Sequence, residues 1–388
     1  MGATEAAPSG DAVPAPRPSL SSAVELNLMT ADATPERIYV RLPNWVGDVV
    51  MAEPALRALR RAFPEAHIAV HGKGHTFGFL RATGHYDEEL KLDKSGGLFW
   101  PIKEGRRLRA RSAPFDLALI FPNSLSSALV ARALGVPRRH GYNLNGRGLL
   151  LTTGLKAEKE GRLRPTPMVD YYLGLVASAG VAIDDIVRAP SLPVSAEAEA
   201  YARDFFERHG VPEREEVWAI NPGGAWATKQ WIPDRAADLA DRIAANGARV
   251  LLLGGPDEVE LGAAIRARVG TPYVFGMPEE VVPLDRLTAV LQRCRVLVTT
   301  DSGPRHFGVA AGIPVVALIG PTHPGYTGVD YDAFRVVCRE VECWPCHRPV
   351  CPNPPETHWI CMREIEPRDV YSTARALIRE SGSTTTEV

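Results

Sequence analysis

Short apolar runs alternate along most of this chain with stretches whose apolar residues recur at helical spacing. Such runs, bounded by turn residues, are typical of parallel strands buried on both faces. They lie at 38–42, 67–71 and 116–121 in the first half, and at 217–221, 249–253, 296–299 and 315–319 in the second. Strands that alternate with helices predict an α/β protein with doubly wound parallel sheets.

The length of the chain predicts two domains. Its 388 residues exceed what one hydrophobic core usually serves. The short, proline-containing stretch 180–195 is typical of an interdomain linker. We therefore expect an N-terminal domain at 36–185 and a C-terminal domain at 196–366. Residues 1–35, rich in Ala, Pro, Ser and Thr, and residues 381–388 are expected to be disordered.

Charge and composition narrow the class of protein. A net charge of −2 argues against a general nucleic-acid binder, which is usually basic. No apolar run reaches the length of a membrane span, and the N-terminus lacks the apolar core of a signal peptide. We expect a cytoplasmic protein, at most peripheral to the inner membrane. The chain has no Walker A sequence and no complete dinucleotide fingerprint, which disfavours an ATPase or a dehydrogenase.

The sequence Asp301-Ser302-Gly303-Pro304-Arg305-His306 follows an apolar strand and opens a helix. A helix N-terminus offers free N–H groups and a partial positive charge, and Gly303 would let a phosphate approach them. Arg305 and His306 could add charge-assisted contacts. The alternative is an ordinary N-cap at Asp301 or Ser302 followed by a turn glycine.

The loop 221–231 also follows a strand and precedes a helix. Gly223 and Gly224 permit close backbone approach, and Thr228 and Lys229 could hold a pyrophosphate, with Lys229 as a point charge. The alternative is a surface loop with a solvated lysine. Two such loops at the carboxyl ends of strands favour a nucleotide-diphosphate site, because open α/β sheets bind ligands at that edge.

Asp48 lies in a strand-to-helix turn of the first half, directly after Gly47. A carboxylate there could face the interdomain cleft and act as a general base on an acceptor hydroxyl. An N-cap role is the common alternative for an aspartate in this position, and the two roles are compatible.

Three motifs in this order resemble lipopolysaccharide heptosyltransferases of glycosyltransferase family 9, and most of all their heptosyltransferase II branch. The motifs are Leu42-Pro43-Asn44-Trp45-Val46-Gly47-Asp48, the loop from Asn221 to Trp231, and Asp301 to His306. The likeness covers about 37–377. It implies a GT-B fold, with two Rossmann-like domains and an interdomain cleft. It also implies inverting transfer of heptose from ADP-heptose to the lipopolysaccharide inner core, without a cofactor or a divalent metal.

The resemblance also implies roles for individual residues. It makes Asp48 and Lys229 catalytic, and it implies that the last helix, 367–380, packs back on the N-terminal domain. The implied substrate-binding residues are Asn44, Gly47, Gly223, Gly224, Thr228, Glu258, Asp301, Ser302, Gly303 and His306. Arg305 and the long N-terminal tail depart from the family pattern. Two alternatives remain: a family member with another nucleotide sugar or acceptor, and a nucleotide-binding relative without turnover.

Five of the six cysteines lie close together in the sequence, between Cys338 and Cys361. Cys343-x-x-Cys346 with Cys351 and Cys361 could make a tetrahedral zinc site, and metal binding is a better general interpretation than disulfides in a cytosol. The second pair is spaced unlike a zinc ribbon, and five prolines stiffen the loop. A structural loop with free thiols is therefore the alternative, and we assign no metal ligands.

The stretch 94–111 is polar and basic, and it belongs to the predicted acceptor-side domain. Its cations are Lys94, Lys103, Arg106, Arg107, Arg109 and Arg111. Such a patch could attract a phosphorylated and carboxylated acceptor. A solvated loop is the alternative that we favour.

Overall fold

The computed structural model describes residues 34–95, 97–158, 166–328 and 330–383. The predicted disordered tail at 1–35 therefore lies outside the described residues, apart from its last two positions. Within the described ranges the chain forms two six-stranded parallel sheets with helices between the strands. The predicted α/β class with doubly wound sheets is confirmed. None of the helices in these ranges is both long and apolar enough to cross a bilayer.

The first sheet has the strand order β3-β2-β1-β4-β5-β6, with every pairing parallel. Its strands are β1 Arg37–Arg41, β2 His67–Gly72, β3 Glu88–Lys91, β4 Leu117–Ile120, β5 Arg138–Tyr142 and β6 Thr153–Leu155. Its helices are α1 Val46–Met51, α2 Glu53–Ala62, α3 Phe77–Leu80, α4 Trp100–Arg109, α5 Leu125–Leu134 and α6 Met168–Ala177. The central strands β1 and β4 are almost wholly buried, as expected of apolar runs covered on both faces.

The second sheet repeats this order as β12-β11-β10-β7-β8-β9. Its strands are β7 Val217–Asn221, β8 Arg249–Leu252, β9 Val274–Gly276, β10 Val296–Thr300, β11 Val315–Ile319 and β12 Phe334–Cys338. Its helices are α7 Ala196–Arg208, α8 Pro233–Ala245, α9 Val259–Arg266, α10 Leu284–Gln292, α11 Gly303–Ala310, α12 Ile360–Arg363 and α13 Pro367–Ser383.

The two halves meet through apolar contacts. One apolar core runs through both sheets, and the buried rings of Phe79 on α3 and Phe307 on α11 cross at 74° with their centroids 5.0 Å apart. Beside them, a Cβ on Gly78 would lie 2.8 Å from the Cβ of Asp285 on α10. The halves are therefore in direct contact where α3 meets α10 and α11.

Each sheet has one place where the strand order changes direction. It lies between β1 and β4 in the first sheet, and between β7 and β10 in the second. Open α/β sheets bind ligands outside the carboxyl ends of the strands at this switch point. A functional site is therefore expected at the loops that follow these four strands.

Two predicted elements differ from the structure. The stretch 100–109, for which we favoured a solvated loop, is the helix α4, whose buried Leu108 and Pro101 pack inward. The last helix extends to Ser383, so that 381–383 are helical rather than disordered. It packs against α8 and the second sheet through Val370, Ala374 and Leu377. The implied return of this helix to the first domain is wrong.

Candidate active site

The N-terminal ends of α1 and α11 face each other at the junction of the two halves. A Cβ built on Gly47 would lie 3.3 Å from the Cα of Gly303 and 3.1 Å from the Cδ2 of His306. Glycine at position 47 thus lets the loop after β1 approach the loop after β10. This contact brings together two of the three motifs, which are separated by about 250 residues in the sequence.

Asp48 lies in the first turn of α1, whose N-cap is Trp45. It is therefore not the N-cap that the sequence allowed. Burial, opposed by Lys229 across the junction and aided by Asp301, raises the pKa of Asp48 to about 6. A carboxylate with a pKa near neutrality can take a proton and release it again at physiological pH.

Asp301 is the centre of a buried ion cluster in the second half. Its Oδ2 accepts hydrogen bonds from Lys229 Nζ at 2.8 Å and from Thr322 Oγ1 at 2.7 Å, and its Oδ1 lies 3.2 Å from Arg305 Nη1. Burial alone would raise the pKa of Asp301, but Arg305 and Lys229 outweigh burial and hold this pKa well below its usual range. The carboxylate is therefore ionised and fixes the Lys229 ammonium.

Lys229 closes the loop after β7, in a 3₁₀ turn at Ala227–Lys229. Its ammonium lies 4.9 Å from the centre of the Trp226 ring, which adds a cation–π contact to the bonds with Asp301. The loop is tied back at its end, where Trp231 N donates to Pro222 O at 2.8 Å. Lys229 is thus a partly exposed cation whose ammonium group is held by Asp301 O, Asp301 Oδ2 and the Trp226 ring.

Arg305 and His306, which could add charge-assisted ligand contacts according to the sequence, both point inward and are buried. Arg305 is fully buried. Burial first, and Arg305 second, hold the pKa of His306 well below its usual range, so the imidazole is neutral. Because a guanidinium only donates, the 3.4 Å contact from Arg305 Nη2 to His306 Nε2 puts the ring proton on Nδ1. That buried Nδ1 has no hydrogen-bond partner within the described residues.

A polar cluster joins the ends of β7 and β10. Asn221 Nδ2 donates to Ser302 Oγ at 3.0 Å and to Thr299 Oγ1 at 3.3 Å, and Thr300 Oγ1 donates to Gly223 O. Ser302 is the N-cap of α11, but its side chain makes no capping bond. The N–H groups of the first turn of α11 are therefore not occupied by the Ser302 side chain.

Glu258 links the two glycine turns of the second sheet. Its Oε1 accepts from Gly224 N at 2.5 Å and its Oε2 from Gly255 N at 2.7 Å. A Cβ on Gly223 would lie 2.2 Å from Glu258 Oε1, so a side chain at this position would have to displace the Glu258 carboxylate. The structure brings Glu258 to the donor loop, and its contact with a nucleotide stays a prediction.

Thr228 connects the loop after β7 to the cysteine-rich segment. It is buried, and its Oγ1 donates to Arg348 O at 2.8 Å. This bond uses the hydroxyl proton that we had assigned to the pyrophosphate, so a donor contact of Thr228 stays a prediction. Nearby, His347 N donates to Pro321 O at 2.9 Å. The cysteine-rich segment is thus bonded to Thr228 and Pro321, the residues next to Lys229 and Thr322.

The cysteine thiols of the described chain are all unpaired. Cys343, Cys346, Cys351 and Cys361 line one small cavity together with Thr228. In the ranges that the structure describes, no three or more Cys, His, Asp or Glu side chains are arranged to hold a metal ion. Burial raises the pKa of Cys361 to about 11, so this thiol is protonated at neutral pH.

The last turn of the basic stretch lies away from Asp48. Arg107 still reaches back to the first sheet: it is paired with Glu104 at 2.6 Å and donates to Lys91 O, at the end of β3, at 3.1 Å. Arg109, two residues later, lies beside Gly135, which ends α5 just before β5 begins: a Cβ built on Gly135 would lie 3.5 Å from its guanidinium carbon. Because α4 runs antiparallel to the strands, its last turn lies towards their amino ends, opposite the edge that carries Asp48.

The family model that describes glycosyltransferase family 9 (heptosyltransferase) matches residues 102–356. The chain belongs to this family. Family 9 lipopolysaccharide heptosyltransferase 2 of Escherichia coli K12 is 29% identical over 302 residues, which cover 75% of this chain and 84% of the relative. Lipooligosaccharide heptosyltransferase 2 of Campylobacter jejuni (strain NCTC 11168) is 22% identical over 355 residues, which cover 89% and 99%.

Solved structures of family 9 proteins share the fold. A family 9 glycosyl transferase from Veillonella parvula superposes with a TM-score of 0.75 at 23% identity, covering 89% of this chain and 97% of the other. ADP-heptose lipopolysaccharide heptosyltransferase II of E. coli gives a TM-score of 0.72 at 24% identity, covering 89% and 99%. The family 9 chain described here therefore has the GT-B fold that its motifs implied.

Proposed function

We propose that this protein is an inverting glycosyltransferase that moves heptose from ADP-heptose to the lipopolysaccharide inner core. One observation carries the proposal. A carboxyl group of raised pKa, Asp48, faces a fixed cation, Lys229, across the junction between two switch points. The names of the relatives in E. coli and C. jejuni support heptose as the sugar and lipopolysaccharide or lipooligosaccharide as the acceptor class.

In the proposed reaction, the ionised Asp48 takes the proton from an acceptor hydroxyl. The acceptor oxygen forms a bond to the anomeric carbon of the heptose on the face opposite the diphosphate. The bond between that carbon and the diphosphate oxygen breaks, and ADP leaves with the electron pair. Attack from the opposite face inverts the configuration at the anomeric carbon.

The charge that grows on the leaving diphosphate needs fixed positive partners. Lys229 is one, because Asp301 and Trp226 hold its ammonium in place before the donor arrives. The N–H of Gly303 at the start of α11 is the second, since the neighbouring Ser302 N–H already donates to Thr300 O at 2.8 Å. The neutral His306 could donate through Nδ1, the buried nitrogen that has no partner in the described residues. In this scheme the first half binds the acceptor and the second half binds the donor.

The test is a transfer assay with purified protein, ADP-heptose and a de-acylated core acceptor from a heptose-deficient strain. We expect one heptose to be added per acceptor, with inverted anomeric configuration by NMR. UDP- and GDP-sugars serve as alternative donors in parallel reactions.

Three outcomes separate the hypotheses. Transfer from ADP-heptose supports the proposal. Transfer only from another nucleotide sugar, or only to another acceptor, would make the protein a family member of different specificity. Tight ADP binding without any transfer or donor hydrolysis would make it a nucleotide-binding relative without turnover.

A further inference from the structure

Two buried arginines lie at the carboxyl edge of the first sheet without an acidic partner. Arg41 ends β1 and is 2% exposed, and Arg147 follows β5 and is fully buried. Within the described ranges no carboxylate lies within ion-pair distance of either side chain. Burial lowers the pKa of both, that of Arg147 to about 10. Both are cations at neutral pH, because a guanidinium group keeps its proton in proteins.

The arginines bind neutral oxygens, and in each case one of them is an asparagine amide oxygen. Arg41 Nη2 donates to Asn44 Oδ1 at 2.8 Å, and Arg147 Nη2 donates to Asn123 Oδ1 at 3.0 Å. Arg147 also donates to the carbonyls of Tyr142 and Pro122, so that it joins the ends of β4 and β5. Both guanidinium groups are therefore fixed before any ligand binds.

These bonds decide which way each amide faces. A guanidinium can only donate, so the atom that it contacts must be the amide oxygen. Asn123 Oδ1 accepts a second bond from Tyr171 OH at 3.0 Å, which fills both of its lone pairs. The amide nitrogens of Asn44 and Asn123 then face away from the arginines. Both residues are partly exposed, and in the described part of the chain neither nitrogen has a protein acceptor.

Both amides flank the switch point of the first sheet. Asn44 follows β1 and Asn123 follows β4, and these strands are neighbours, with Phe121 N donating to Arg41 O at 3.2 Å. The loops after β1 and β4 therefore leave the sheet side by side. Asp48 lies just beyond the first of these loops, in the first turn of α1. Two oriented N–H donors and the proposed base thus share one crevice.

We propose that Asn44 and Asn123 form a paired subsite for an oxyanion of the acceptor, a carboxylate or a phosphate. An amide whose oxygen is occupied can only donate, so the pair selects groups that accept hydrogen bonds. The two buried cations behind the amides add a positive potential at the same place. Arg41 and Arg147 are positioning residues, since they act through the asparagines. This inference rests on the proposed function, because it assumes that the first half binds the acceptor.

The decisive variant is Asn123→Asp. The carboxylate can still accept from Arg147 and Tyr171, so the fold is retained, but the outward donor becomes an anion. With the de-acylated core acceptor, we expect the acceptor KM to rise about tenfold or more. The donor KM and the kcat at saturating acceptor should stay within about twofold. Asn123→Ala, which removes the donor without adding charge, should show a smaller rise in the same constant.

Asn143→Asp is the matched control. Asn143 is exposed and follows β5 at the same edge, but no buried arginine holds its side chain. The same added charge there should leave the acceptor KM within about twofold, because exposed charges are screened by salt. An equal effect of Asn143→Asp and Asn123→Asp on the acceptor KM would overturn the proposed subsite. It would mean that the added carboxylates act only by general repulsion of an anionic acceptor.

Two modified acceptors identify the oxyanion. One has its phosphates removed by phosphatase, and the other has its carboxylates converted to methyl esters. The Asn123→Asp penalty should shrink to the level of the control with one of the two. A penalty that persists with both overturns the oxyanion assignment. Absence of transfer in the wild-type protein would refute the proposed function, whereas normal wild-type transfer with an unaffected Asn123→Asp variant would refute this inference alone.

Discussion

The two halves have the same strand order but manage charge in opposite ways. At the switch point of the second sheet, an ionised carboxylate, Asp301, holds two cations, Lys229 and Arg305, in a buried cluster. At the switch point of the first sheet, the buried cations Arg41 and Arg147 are held by carbonyl and amide oxygens. Asp48, a carboxyl group on this side of the junction, has a raised pKa.

This difference teaches how one scaffold can serve two substrates. A leaving diphosphate gains most from a cation that does not move, and an acidic partner provides that rigidity. A general base needs the reverse, a carboxyl group that is not paired directly with a cation, so that its pKa is not held low. The folds are equivalent, so the distinction lies in which loops carry the charges.

The largest effect is expected from Asp48→Asn, which leaves the shape of the first switch point intact and removes its base. The transfer rate should fall by about 10²- to 10⁴-fold, with a nearly unchanged donor KM. In the wild type, the rate should fall as the pH drops through the pKa of Asp48, about 6, since the base must be ionised. Stopped assays across pH 5–8 measure both. Near-normal transfer by the variant would remove the base assignment.

Lys229→Met tests the opposite side of the comparison. We expect kcat to fall by about 10²- to 10³-fold, because the lost cation acts on charge that develops in the transition state. Arg305 and Thr322 still bind Asp301, so the fold should be retained. A rise in donor KM with unchanged kcat would instead assign Lys229 to ground-state binding.

Asp48→Asn should also make the protein more stable at neutral pH. The pKa of Asp48 is raised from 3.8 to about 6 in the folded state, so folding favours the protonated form. The protonated side chain contributes fully to the stability of the fold below pH 4, and this contribution is lost as the pH rises through 6. The free energy of unfolding of the variant should therefore exceed that of the wild type by about 1–3 kcal/mol at pH 7.5, with little difference at pH 4.

Denaturant titrations at the two pH values measure this difference. Asp204→Asn, at an exposed position on α7, is the control and should show no comparable gain. If Asp48→Asn is no more stable than this control at pH 7.5, the folded state does not raise the pKa of Asp48.

The smallest effect is expected from neutralising Arg106 and Arg109 together. Because α4 carries this stretch towards the amino edge, these charges lie far from the crevice and are screened. The acceptor KM should change by less than about twofold in a steady-state assay. A large increase in the acceptor KM would show that the basic stretch takes part in acceptor binding. It would weaken the distinction between the carboxyl and amino edges of the first sheet.

The sequence predicts the location of the site better than its contacts. Asp48, Lys229 and Asp301 each follow a recognisable strand, and the carboxyl ends of parallel strands meet at one edge. Their convergence could therefore be predicted, as could the two-sheet fold. The sequence also points to Gly303 as a phosphate neighbour and to Gly47 as an implied substrate-binding residue, but to neither as the contact between the halves.

The direction in which side chains point could not be predicted. Arg305 turns inward to Asp301, and Thr228 turns back to Arg348, because each is set by a partner that is distant in sequence. Thr322, Asn123 and Arg147 gave no signal, since single polar residues after strands are common. The helix α4 was missed because its polar composition outweighed its few apolar positions.

The packing of the last helix has an evolutionary consequence. Because α13 covers its own sheet, the described chain passes from the first half to the second only once, between α6 and α7. The connecting segment is bonded to the first half as far as Ser191, whose N–H donates to Glu53 at 2.8 Å. A single recombination event after the codon for Ser191 would therefore exchange the whole second half with that of another family member. Under the proposed function, this exchange would also change the choice of sugar nucleotide.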